Sequence, residues 1–531
     1  MKNQLLAISI TLLLAACASV EKYNLQISKL HSIEDLQDDT DKFYKQLKRN
    51  HPHLYQFTSK AVLDYKFDSL KTALVTPMDS RTFYKQLAKV SKHVGQGHLS
   101  VSPPFKHYTR KEKKQRSKMK FAINNLDFEY LDNTLFVTNA RGADTVLINS
   151  EVLKIEEENP VDLIKKYKQL IASDGYNTTF HNRVVGTRFM SYYIKDKGRF
   201  DSITLTFKNS DSTFIKKYRR VLKDAFVKTK DTVTKDSTAL KPIKKLTKAE
   251  KKAKKLKLKQ EYKDNRTYGY NPIRKENTRN LSFVGKDSTI ALMKIRGFKG
   301  GKYKWFYEAV FTTLDSLKTE TLIIDLRNNF GGRLKEIAVL YSYLTDKNFT
   351  FINPSEVNSR IPVLKSVMSN SNSITTKAFI GLLSPVILVH NVIKTSKKDG
   401  KLYYDFKVSK EQEPNPKNFK GKIYVLINGN SFSASSILST KLKEDKRATF
   451  VGEETGGAHN GTVAGIYKIY ELPHTKIKAR IGLMHIDVPY KINPDGYGVQ
   501  PDVVVLPSYK DRLNTIDPEL EWVLKDVQTK K

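Results

Sequence analysis

The chain has 531 residues, with 93 Lys plus Arg against 55 Asp plus Glu and a formal net charge of +38. That length holds two or three domains, and a single cysteine, Cys17, excludes an intramolecular disulfide. The sequence carries no zinc-ligand spacing, phosphate loop or nucleic-acid motif, so no metal, nucleotide cofactor or nucleic-acid partner is expected.

Residues 1–17 read as a targeting leader. Lys2 supplies the positive start, 5–14 the apolar core, and Leu14-Ala15-Ala16-Cys17 closes it with small residues. This run is too short to span a bilayer. Its end resembles a bacterial lipobox, which implies lipidation at Cys17 and anchoring in the cell envelope. With Ala18 rather than Asp after the cysteine, the outer membrane is the expected destination. A second apolar run of membrane length is not expected.

Residues 18–118 read as a helical N-terminal domain. Stretches 39–48, 62–74 and 80–94 place apolar residues on one helical face, and Gly95 breaks the pattern before His98 and a short strand. Residues 119–225 change to a small α+β unit, with a hairpin near 126–137, a helix near 160–171 and an alternating strand at 200–207. A lysine-rich spacer, 226–280, follows. Its densest part, 241–263, reads as a solvated charge run or as a contact for an anionic surface. From 281 to 510 strands alternate with helices. Residues 321–326 make a buried apolar strand, Arg327 to Gly332 a tight loop, and 423–427 a strand running into a helix from Ala434. Residues 351–420 are an insertion, and 511–531 a basic tail.

Ser433 sits where that strand meets its helix. A serine there is either an N-cap or a nucleophile held at the positive end of a helix dipole. Four segments in chain order resemble the tail-specific (C-terminal processing) serine peptidase superfamily. They are Asp325-Leu326-Arg327-Asn328-Asn329-Phe330-Gly331-Gly332, Ser433-Ala434-Ser435-Ser436, Arg447-Ala448 through Val451-Gly452-Glu453-Glu454-Thr455-Gly456-Gly457, and Gly498-Val499-Gln500-Pro501-Asp502. Ala458 stands where the Ser/Lys branch keeps its lysine, and a methyl group accepts no proton. The chain is therefore more similar to the tricorn-core and interphotoreceptor-retinoid-binding branch.

The resemblance implies an α/β core of crotonase-like ββα type, with the helical N-terminal domain and a PDZ-like domain at 119–225. It implies Ser433 as nucleophile, His98 as base and Asp495 as the orienting carboxylate. Acyl transfer also needs oxyanion donors, and the backbone of Gly331, Gly332 and Ala434 is placed to supply them. Gly97 replaces the serine that precedes the histidine in tricorn, and His459 is an alternative base. The expected function is a serine peptidase, endopeptidase or tail-specific, acting on peptides or unfolded proteins. Two alternatives stay open: a non-catalytic binder of apolar ligands or peptides on the same fold, and an envelope scaffold built on the lysine run and the lipid.

Overall fold

The computed structural model describes residues 20–210, 212–223, 247–285 and 287–529. Cys17 and all of 224–246 lie outside them. The chain forms an α/β structure around three six-stranded sheets.

The sheet that carries the nucleophile runs Arg279–Val284, Ile290–Ile295, Thr321–Asp325, Lys422–Ile427, Thr449–Gly452, Val503–Val504, and only its first pair is antiparallel. Thr321–Asp325 is buried at every position because helices cover both faces. Tyr303–Ser316 and Leu334–Ser342 bury Phe306, Val310, Ile337 and Tyr341 against one face. The other face carries Ile323, Tyr424 and Val451, and Val523 and Val527 of helix Pro518–Thr529 close it.

That last helix corrects the reading of 511–531 as a tail. Leu520, Val523, Leu524 and Val527 recur at helical spacing and seat the segment on the sheet. The spacer reading is corrected only at its end, since the lysine-rich helix buries none of its own residues. Lys248–Tyr268 is a helix, opened by a Thr247/Glu250 capping box and closed by Gly269 in a left-handed conformation. Arg279, inside the expected spacer, is fully buried and pairs with Glu336.

The middle unit is an antiparallel sheet in the order Met119–Phe121, Ser212–Leu222, Ser202–Asn209, Glu151–Ile155, Thr134–Ala140, Leu126–Leu131, with its own core. The N-terminal helices Ile33–Asn50, Lys60–Ala73 and Ser80–Ser91 share a core with Ala479 and Ile481 of strand Lys478–Asp487 in the third sheet and with Leu472 and Ile477 of the turn that precedes that strand. Strand Ser100–Ser102 pairs there with Lys478–Asp487, so the N-terminal segment is stitched into the body rather than separate from it.

The insertion holds helix Ile374–Lys394, 21 residues that are apolar enough to cross a membrane by composition. The expectation of no second run of that kind is overturned. A proline and a glycine inside the segment conceal its continuity in the sequence.

Candidate active site

Strands Thr321–Asp325 and Lys422–Ile427 are parallel neighbours, with Asp325 opposite Leu426. Their following loops therefore emerge side by side at the carboxyl edge of the sheet, where open α/β folds bind ligands. Side chains lace the two loops together. Asn328 N–H donates to Asn428 Oδ1 at 3.0 Å, Asn430 Nδ2 to Asn328 Oδ1 at 2.8 Å, and Ser431 Oγ to the Leu326 carbonyl at 2.9 Å. Below them Arg327 pairs with both oxygens of Asp325, at 3.0 Å each, and reaches Asp517 and Glu519 on the C-terminal helix. That pairing keeps the buried Asp325 carboxyl well below its usual range despite desolvation.

The laced loops hold Ser433 in a sharp turn. It precedes helix Ala434–Glu444 with φ 60° and ψ −123°, a strained conformation for a residue with a side chain. Its hydroxyl does not cap the helix. It meets His98 Nε2 at 2.9 Å instead. Of the two readings of Ser433, this geometry excludes the cap and leaves a half-buried hydroxyl on an elbow turn, facing a histidine.

His98 is fixed from the other side. Its Nδ1 lies 3.2 Å from Thr462 Oγ1, and that hydroxyl donates to Asp174 Oδ1 at 3.2 Å. A threonine has one proton to give. Spent on Asp174, it leaves Thr462 to accept from Nδ1–H, so Nε2 is the ring nitrogen free to take the Ser433 proton. Phe432 at 4.6 Å and Tyr467 at 6.0 Å stack on the imidazole. Burial, and secondarily the Arg480 charge, lowers the pKa of His98 to about 3, so the ring rests neutral.

Asp174 is fully buried and accepts from Gly97 N–H at 2.7 Å and from Ala458 N–H at 3.3 Å besides Thr462. Desolvation pushes its pKa up to about 6 against those donors. Sequence reasoning missed this residue. It lies on a loop of the middle unit, and no spacing ties it to His98 or Ser433.

The structure does not bring Asp495 to His98. Its carboxylate accepts from Gln56 Nε2 at 2.8 Å and from the Gly496 N–H at 2.7 Å. His459 is likewise committed elsewhere, with Nε2 2.9 Å from Glu444 and Nδ1 3.2 Å from Asn460. The oxyanion donors divide. Gly331 N–H is taken by Asn329 Oδ1 at 2.9 Å. Among the hydrogen bonds of the described residues, the N–H groups of Gly332 and Ala434 have no partner. Gly332 lines the same cavity as Ser433 and His98. Gly97 has a steric reason, because a Cβ there would lie 2.8 Å from the Phe432 ring and 3.2 Å from Asp174.

Residues 289–505 match peptidase family S41. This segment belongs to that family. The S41 segment contains Ser433, Thr462 and both free donors, whereas His98 and Asp174 come from outside it. Among solved structures, mature CPAF complexed with lactacystin is 16% identical, covers 93% of this chain and 97% of its own, and superposes with a TM-score of 0.57. Uncomplexed mature CPAF is 14% identical over 90% of this chain and 94% of its own, with a TM-score of 0.54. The shared fold thus extends beyond the S41 segment to nearly the whole chain. The tricorn protease is 12% identical over 93% of this chain and 36% of its own, and its TM-score of 0.38 is too low to carry an argument. No curated protein matches the chain.

Proposed function

We propose that the protein is a serine peptidase that hydrolyses peptide bonds through an acyl-enzyme at Ser433. The carrying observation is the 2.9 Å contact between Ser433 Oγ, on a strained elbow, and the Nε2 of a histidine whose tautomer is fixed from behind. Ser433 Oγ bonds to the substrate carbonyl carbon and its proton passes to His98 Nε2. The oxyanion faces the N–H groups of Gly332 and Ala434. Collapse breaks the C–N bond, and the leaving amine takes the proton from His98. Water then attacks the ester, loses its proton to His98, and the acid leaves as Ser433 regains its hydrogen. The imidazolium formed at each step is matched by the Asp174 carboxylate through Thr462.

The fold supports a finer assignment of parts: the parallel sheet as a crotonase-like core and 119–223 as a PDZ-like unit. The leader sequence supports a lipid anchor at Cys17 and a place in the bacterial envelope. The test there is metabolic labelling with a fatty acid, which Cys17→Ser should abolish.

The cavity beside Ser433 measures about 940 Å³ and suggests the substrate. Its walls are apolar, from Phe180, Phe330 and Tyr192, and among the described residues its charged lining is all cationic, including Arg188, Lys195 and Arg480. Peptides with apolar and acidic residues, or a free C-terminal carboxylate, should therefore be cleaved in preference to basic ones. The experiment is labelling by a fluorophosphonate probe together with a peptide library. Ser433→Ala should lose both labelling and hydrolysis, and His98→Ala should lower both by at least about 10³. A folded parent that neither labels nor cleaves would favour an apolar-ligand binder, which this cavity also suits.

A further inference from the structure

Helix Ile374–Lys394 is built inside out. The residues it turns toward the body are Ile380, Ser384, Ile387, Asn391 and Lys394, alternating four and three apart, and this stripe is partly polar. Asn391 fastens it, accepting from the Val363 N–H at 2.9 Å. The opposite surface is apolar and bare: Leu382 is 77% exposed, Val386 70%, Ile393 76% and Phe379 62%. At 3.6 residues per turn the bare apolar positions cover well over half the circumference. Soluble helices show the reverse arrangement, and an exposed patch of this kind marks an interaction site.

Three observations choose the occupant. Exposure on more than one face is poorly matched by a second protein surface, which covers one side, and well matched by lipid, which surrounds. No Asp or Glu occurs from 374 to 398, while Lys377 stands near one end and Lys394, Lys397 and Lys398 near the other; Asp399 follows, and Lys401 is paired with Glu356. This places cations at both ends of an apolar cylinder, where they can reach anionic headgroups. Finally, both ends are tied to one sheet. The segment before the helix is bonded to strand Gly461–Glu471 through Ser366 to the Tyr467 carbonyl at 2.6 Å and Asn370 to the Glu471 carbonyl at 2.7 Å. The helix then runs directly into Thr395–Lys398 of the same sheet. Its length, about 31 Å at 1.5 Å per residue, would suit a span, but its ends cannot stand on opposite sides of a bilayer.

We infer that Ile374–Lys394 is a monotopic membrane element that lies in one leaflet of an anionic bilayer and seats the body on the lipid surface. This contact depends neither on chemistry at Ser433 nor on acylation at Cys17.

The test uses the full chain with Cys17→Ser, which removes the one native thiol. An environment-sensitive fluorophore is attached through Leu382→Cys or, separately, Ile393→Cys, with Tyr65→Cys as the label on a surface outside the insertion. Phosphatidylcholine/phosphatidylglycerol vesicles should blue-shift the emission at 382 and 393, brominated acyl chains should quench it, and the label at 65 should not respond. Lys397→Glu/Lys398→Glu should move the vesicle titration by at least about tenfold. No shift and no quenching at either position would overturn the inference. Emission already blue-shifted in buffer and lost on dilution would overturn it too, because a second copy would then be the occupant. An unchanged titration after charge reversal would remove the anionic requirement.

Discussion

A neutral, deeply desolvated histidine is a poor base unless the charge it gains is met. Burial disfavours imidazolium at His98, so in the proposed mechanism proton transfer from Ser433 would depend on the Asp174 carboxylate behind Thr462. The pH dependence follows from which group titrates. His98, held at about 3, stays neutral from mild acid upward, whereas Asp174, raised to about 6, is protonated below that pH. Only the ionised carboxylate balances the imidazolium, so kcat/KM should fall with an acid limb near pH 6. In Asp174→Asn the limb should vanish and the plateau drop by at least about 10². Thr462→Val keeps the volume but breaks the relay, and should lower kcat more than KM. A limb unchanged in Asp174→Asn would remove Asp174 from the mechanism. The sequence singles out Ser433 by a local motif and His98 by its resemblance to the tricorn branch, and the structure brings the two together. Asp174 was not legible, because hydrogen bonds between remote segments leave no spacing to read. Asp495, in the motif position, is instead anchored by Gln56.

At the scale of elements, the strands of the parallel sheet were readable from their apolar runs, while the helices that cover it were read unevenly. The C-terminal helix was concealed by its charge: five acids and four bases make 511–531 look like a solvated tail, though not a basic one, yet Leu520, Val523, Leu524 and Val527 recur at helical spacing. Its docking is also electrostatic. Arg327 is the shared cation for Asp325, Asp517 and Glu519, two of which are buried. Arg327→Ala leaves Asp325 with Lys294 alone and takes the guanidinium from Asp517 and Glu519, and should cost about 3–5 kcal/mol of stability, measured by denaturant unfolding. The wild-type contribution has a defined sign. Asp325 titrates below its unfolded value, so its share is present above about pH 4 and is lost as pH falls. The stability difference between wild type and Arg327→Ala should therefore shrink in acid. A difference that stays constant with pH would mean the guanidinium acts by packing alone.

The whole molecule brings the site together at a point where its three parts touch with bare backbone. Gly95 from the N-terminal helices, Gly175 from the middle unit and Gly496 from the S41 segment all have positive φ and meet there. Gly175 N–H donates to the Gly95 carbonyl at 2.8 Å, and Tyr176 N–H to the Gly496 carbonyl at 2.8 Å. A Cβ on Gly175 would lie 2.3 Å from Gly496 Cα, so the middle unit and the core approach as closely as they do because neither has a side chain there. Asp174 is the next residue and His98 lies just beyond Gly95, so the relay inherits its geometry from this junction. Gly175→Ala adds backbone strain of about 1 kcal/mol, and it also forces the units apart beside the relay. Gly142 is the control, at φ 82° on the same unit with nothing within 4 Å of its would-be Cβ. Gly142→Ala should carry the strain without the displacement and keep full activity. Gly175→Ala should lose at least about 10² in kcat/KM, since a misplacement of about 1 Å is enough for that, while its circular dichroism remains that of the parent. Equal activities in the two variants would mean that the relay does not take its geometry from this glycine junction.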